Sequence, residues 1–109
     1  MRHAIYFDPH EFDPPESEQH LEVHWGTSWT SLEWLLLSLE LIMEKSGSMM
    51  ELSVWREQAS KLLRTPLKPH VTELEFVKRG WVARDSGDEF IIVGEGRGQW
   101  VLLNWYTTA

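Results

Sequence analysis

The chain predicts an α+β domain, an antiparallel sheet carrying two helices on one face in the order β-β-α-α-β-β-β. Three observations carry the prediction. Residues 20–25 alternate strictly, Leu21, Val23 and Trp25 against His20, Glu22 and His24, the period-two signature of a strand with one buried face. Residues 31–45 place their apolar side chains at helical spacing. Residues 81–106 break into runs rich in Val, Ile, Trp and Tyr, divided by Asp and Gly punctuation.

In chain order, residues 3–7 read as a short strand stopped by Asp8 and Pro9, and residues 9–19, with three prolines and four carboxylates, as an acidic loop. The alternating strand follows and ends at Gly26. Thr30 and Glu33 form a capping-box pattern that opens a helix over residues 31–45. On that helix Leu32, Leu35, Leu36, Leu39, Ile42 and Met43 share one face, Glu33, Glu40 and Glu44 oppose them, and Trp34 with Leu41 lies on a flank. Leu37 falls inside the polar stripe. Either a second helix of the same chain covers it, which is the reading preferred, or a partner uses the exposed apolar surface.

Gly47 is placed to end that helix, and Ser48 with Glu51 offers a second capping box for a helix reaching Arg64. Leu52, Trp55, Ala59, Leu62 and Leu63 would form its inward face, and Pro66 and Pro69 forbid its continuation. Two readings follow. In the first, Leu74 and Phe76 point inward from a strand, Gly80 permits a bulge, and residues 81–84, 89–93 and 99–106 complete a meander with turns at 85–88 and 94–98.

In the second, residues 70–79 form a helix with Val71, Leu74 and Val77 inward. Ala59, Leu62, Val71, Leu74, Gly80, Trp81, Val82 and Arg84, with the turn at 85–88, then resemble the tail of a winged helix-turn-helix domain. That resemblance implies a nucleic-acid-binding regulator, with Lys68, His70, Lys78, Arg79 and Arg84 near the phosphates. Pro69 stands where the recognition helix would already have begun, and Glu73 and Glu75 would meet phosphate, so the strand reading is preferred.

The 109 residues suit one domain, residues 1–109, and a hydrophobic content of 42% is enough to build a core. With no cysteine there is no disulfide, thiolate metal site or cysteine nucleophile, and a reducing, cytoplasmic setting is expected. The start lacks the apolar stretch of a secretory signal. The most apolar segment, residues 32–43, contains Glu33, Ser38 and Glu40 and is shorter than the roughly 20 residues that span a bilayer, so no membrane anchorage is expected.

Charge is unevenly spread. The net −7 resolves into −8 over residues 1–55, +4 over 56–84 and −3 over 85–109. The far field repels nucleic acid, and the basic middle, Arg56, Lys61, Arg64, Lys68, Lys78, Arg79 and Arg84, is read as balancing the acidic first half within the fold.

Reaction chemistry finds little purchase. His20 and His24 stand four apart, which on a strand separates them by about 13 Å, too far to share one ion. No glycine-flanked serine elbow is present, and Gly94, Gly96 and Gly98 lie between strands and not ahead of a helix, so neither a nucleophile nor a phosphate cradle is read. No metal, cofactor or enzymatic activity is expected. The seven tryptophans are the strongest anomaly in composition, most of them core, with Trp29 the one expected to reach a partner.

These features favour a small acidic inhibitor of the immunity-protein, antitoxin or host-defence-antagonist type. It would block a basic protein partner through Asp8, Glu11, Asp13, Glu16, Glu18, Glu22 and Trp29. Self-association through the first helix is the other use foreseen for that helix's apolar surface.

Overall fold

The computed structural model describes residues 2–7, 11–12, 18–38, 48–64 and 74–107. They form strands β1 (Arg2–Phe7), β2 (Gln19–Gly26), β3 (Ser48–Met50), β4 (Arg79–Asp85), β5 (Glu89–Gly96) and β6 (Gln99–Thr107), and helices α1 (Trp29–Ser38) and α2 (Leu52–Leu63). The six strands join one antiparallel sheet in the order β1-β2-β6-β5-β4-β3. The α+β class and the predicted order of elements are what the chain adopts, with β3 added between the helices. None of these helices is long and apolar enough to cross a membrane.

The helices do not share a face. Trp55, Ala59 and Leu63 of α2 pack with Leu21, Val23, Ile92, Val101 and Leu103. Leu32, Leu35 and Leu36 of α1 pack with Ile91, Val93, Trp100 and Leu102. Successive residues of β5 and β6 thus feed two different cores, and since side chains alternate along a strand the helices lie on opposite sides of the sheet. This corrects the one-face expectation, and with it the expectation that a second helix covers Leu37. Burial on both sides is what the unbroken runs Ile91-Ile92-Val93 and Val101-Leu102-Leu103 require.

Local chemistry sets the helix starts. Ser28, and not Thr30, serves α1: its Oγ accepts from the Ser31 amide at 3.4 Å and its carbonyl from the Leu32 amide at 3.2 Å. The Trp100 indole also donates to the Ser28 carbonyl, at 2.9 Å, which ties the helix start to the central strand. The expected continuation of this helix to residue 45 lies outside the described residues. Ser48 and Glu51 form no capping box. Ser48 instead pairs with Val82 in β3, and Glu51 occupies the cap position of α2 without a side-chain cap bond.

Residues 74–78 hold a turn, with the Val77 amide donating to the Leu74 carbonyl at 3.1 Å, so the strand expected through Leu74 and Phe76 begins only at Arg79. The recognition helix of the winged alternative is likewise not formed over these residues. Gly80 is not the bulge. The register slips between Val82 and Arg84, at Ala83, while Gly80 faces Gly94 across β4 and β5. Both glycines lie under the Trp55 ring, and a Cβ on Gly94 would sit 2.5 Å from its Cζ2. Side chains there would exclude the indole. The closing turn is shorter than residues 94–98: β5 runs through Gly96, and Arg97 (φ 52°) with Gly98 (φ 74°) makes the two-residue left-handed turn that matches strand twist.

Candidate functional site

On its side of the sheet α1 packs against a cluster formed by Ile91, Val93, Trp100 and Leu102. Beyond it, the register aligns Tyr6 with Glu22 and Glu22 with Asn104, while His20 faces Tyr106 and Tyr106 faces Glu89. All of these side chains lie on the α1 face. Glu22 and His24 share that face because they are two apart, and His24 Nε2 lies 2.9 Å from Glu22 Oε1. His24 is 2% exposed, and the Tyr6 ring meets its imidazole edge-on at 5.6 Å. His20 stacks on Tyr106 at 4.7 Å, and Arg84 donates to Glu89 at 2.9 Å.

Two buried atoms in this patch, His24 Nδ1 and Asn104 Oδ1, have no hydrogen-bond partner among the described residues. A carboxylate can only accept, so Nε2 carries a proton, and in the neutral imidazole Nδ1 then presents a lone pair. An unpaired buried acceptor costs about 1–3 kcal/mol, and these two stand at diagonal positions of neighbouring strands. The arrangement can accept hydrogen bonds and stabilise positive charge.

The second feature is the outer face of α1. With Leu32, Leu35 and Leu36 turned down onto Trp100 and Leu102, helical geometry turns Trp29, Glu33, Trp34 and Leu37 outward. Trp34 is 69% exposed, Leu37 63% and Trp29 49%. Three large apolar side chains therefore surround one exposed carboxylate.

The acidic residues divide by position. Glu11 adjoins Phe12, which is fully buried in the α2-side core, Glu18 precedes β2 with φ 60°, and Glu22 lies within that strand. Glu18 and Glu22 belong to the end of β2 where Gln19 pairs with Thr107. Asp8, Asp13 and Glu16 lie outside the described residues. Trp29 stands beyond the other end of β2, where Gly26 pairs with Trp100, so about 23 Å of strand separates it from Glu18. The fold does not join Trp29 to the acidic end.

Among the described residues, Lys61, Arg79 and Arg84 of the basic middle pair with carboxylates of their own half of the chain. Arg79 Nε donates to Glu95 at 2.7 Å and its Nη2 makes a second contact, Arg84 pairs with Glu89, and Lys61 lies 3.7 Å from Glu57. Arg56 donates to the Val77 carbonyl at 2.9 Å. These partners are not the acidic first half that the charge distribution suggested. His3 stacks on Trp25, His10 and His70 lie outside the described residues, and among the described residues no three potential ligands group around a metal position.

Sequence reasoning missed Asn104 and Tyr6. Asn104 had a readable signal, since it is the one amide in the otherwise apolar and aromatic run 100–106. Tyr6 had none, because only the register of β1 on β2 carries it to His24. Compared with family models, curated proteins and solved structures, the chain matches none.

Proposed function

We propose that the protein is a non-enzymatic inhibitor that blocks a basic protein partner, and that its docking face is the outer side of α1. One observation carries the reading: Trp29, Trp34 and Leu37 are exposed around Glu33 on a chain of net charge −7. Tryptophan on a rigid helix supplies contact area at low entropic cost, and interface hot spots are enriched in it. The net charge attracts a cationic partner and disfavours an anionic one.

The same chemistry argues against a second copy as the occupant. Two-fold packing of this face on itself would bring Glu33 against its own image between two chains that repel. Glu11, Glu18 and Glu22 act by steering and not as part of the apolar contact. An inhibitor of the immunity-protein or antitoxin kind needs only this: tight occupation of a partner's surface, with no reaction.

The test is quantitative capture from the cells that express the protein, comparing the native chain with Trp34→Ser/Leu37→Ser and with Glu33→Lys. The expected result is one cationic protein retained by the native chain, inhibited by it, and lost from both variants at unchanged melting temperature. Equal retention by all three chains, or retention of an acidic protein, overturns the reading. Sedimentation of the purified chain as a monomer is expected, and a dimer abolished by the Trp34 variant would make self-association the use of the face.

A further inference from the structure

We propose that Glu22, His24 and Asn104 form a binding site for a primary ammonium group, that of a lysine side chain. The proposal deepens the reading above by naming which group of a basic partner the sheet accepts, and it rests on that reading only for the source of the lysine.

Glu22 accepts from Nε2, so in the neutral imidazole Nδ1 and Asn104 Oδ1 are both acceptors lacking a donor among the described residues. Anions, carbonyl groups and ethers cannot satisfy them. A satisfactory occupant brings at least two hydrogens on one atom. His24 and Asn104 occupy diagonal positions of paired strands, β2 and β6, since His24 faces Leu102 and Asn104 faces Glu22. Such positions lie about 7–8 Å apart at the backbone and less between side chains, which one nitrogen can bridge with two bonds of about 2.9 Å.

Charge then selects among donors. Water fits the same geometry, but the Glu22 carboxylate beside the imidazole favours a cation in a partly buried place, where electrostatic attraction is weakly screened. Lysine suits this site better than arginine, because a compact ammonium directs three donors from one atom whereas a guanidinium presents a flat fork. Access runs past Tyr6, which is 59% exposed and leans edge-on against His24.

The site is tested on the full chain by following the His24 imidazole nitrogens by NMR during titration with methylammonium and, separately, with a short lysine-containing peptide. The free protein should show an unprotonated Nδ1 and a protonated Nε2. Both probes should then shift Nδ1 saturably, the peptide at lower concentration if a protein is the source and methylammonium at lower concentration if a free amine is. Acetate and trimethylamine N-oxide, which offer no such donor, should leave it unmoved. Asn104→Leu should weaken methylammonium binding about tenfold or more, as expected for loss of a bond to a charged donor. Should that variant not fold, Tyr6→Ala at an exposed position serves in its place, and is expected to bind methylammonium more tightly.

A free-protein Nδ1 already accepting a hydrogen bond from the Asn104 carboxamide, the absence of a shift with either probe, or binding unchanged in Asn104→Leu overturns the site. Loss of amine binding with capture through α1 intact removes this proposal alone. Loss of capture in the Trp34 variant with amine binding intact removes only the docking reading.

Discussion

The tightest constraint on any single residue is the one Trp55 places on the two glycines beneath it. Gly80 and Gly94 are partners across β4 and β5, and neither adopts a backbone conformation that needs glycine. They are glycine because the fully buried indole lies where their side chains would be. Gly94→Ala is therefore expected to destabilise the fold by about 1–3 kcal/mol, the usual range for overpacking a core, read as a lower urea midpoint with an unchanged m-value. Gly94→Ala in a Trp55→Leu background should cost much less, since the smaller side chain leaves room. Ser28 makes the corresponding case for polar contacts. Its hydroxyl caps α1, so Ser28→Ala should cost about 1 kcal/mol in the same measurement, while Thr30→Ala, at the position the capping-box pattern favoured, should be nearly silent.

Between elements, the strands were legible and the sides of the sheet were not. Strict alternation at residues 20–25 gave β2 its inward Leu21 and Val23, and helical spacing gave α2 its buried Trp55, Ala59 and Leu63. Those patterns are local. Which side of the sheet a helix takes depends on how its connections cross the strands, and no period within either helix encodes it. A weaker signal did exist, because the unbroken apolar runs in β5 and β6 mark strands covered on both sides, whereas β2 alternates Leu21 and Val23 with His20, Glu22 and His24. Of the candidate site, β2's alternation put Glu22 and His24 on one face, but Tyr6 and Asn104 joined them only through pairing with strands far along the chain. β3 was unreadable for a related reason: three residues are too few to show a period, and their pairing with β4 is decided by the neighbour. At this scale Trp34→Ser/Leu37→Ser should leave stability within about 0.5 kcal/mol of the native chain, because exposed side chains away from special contacts rarely matter to the fold. A larger loss in urea unfolding would mean that these side chains serve the core and not a partner.

For the molecule as a whole, charge and topology act separately. The acidic excess is felt at long range and sets the rate of encounter with a cationic partner, whereas the apolar face of α1 sets how long the complex lasts. Raising ionic strength should lower the association rate severalfold and leave the dissociation rate nearly unchanged, a division visible by surface-immobilised kinetics. Reversing Glu11 and Glu18 to lysine should reproduce that slower association at low salt. A dissociation rate that rises instead would place those carboxylates inside the contact.

The sheet order carries one more consequence. Translation makes β6 after every other described element, yet β6 lies between β2 and β5 and supplies the indole that anchors α1. Until it emerges, no strand pairs the β1–β2 hairpin with the β5–β4–β3 group, and the α1 leucines lack both Trp100 and Leu102. During synthesis the sheet therefore stays open between β2 and β5, and it closes in one late step when the joining strand arrives.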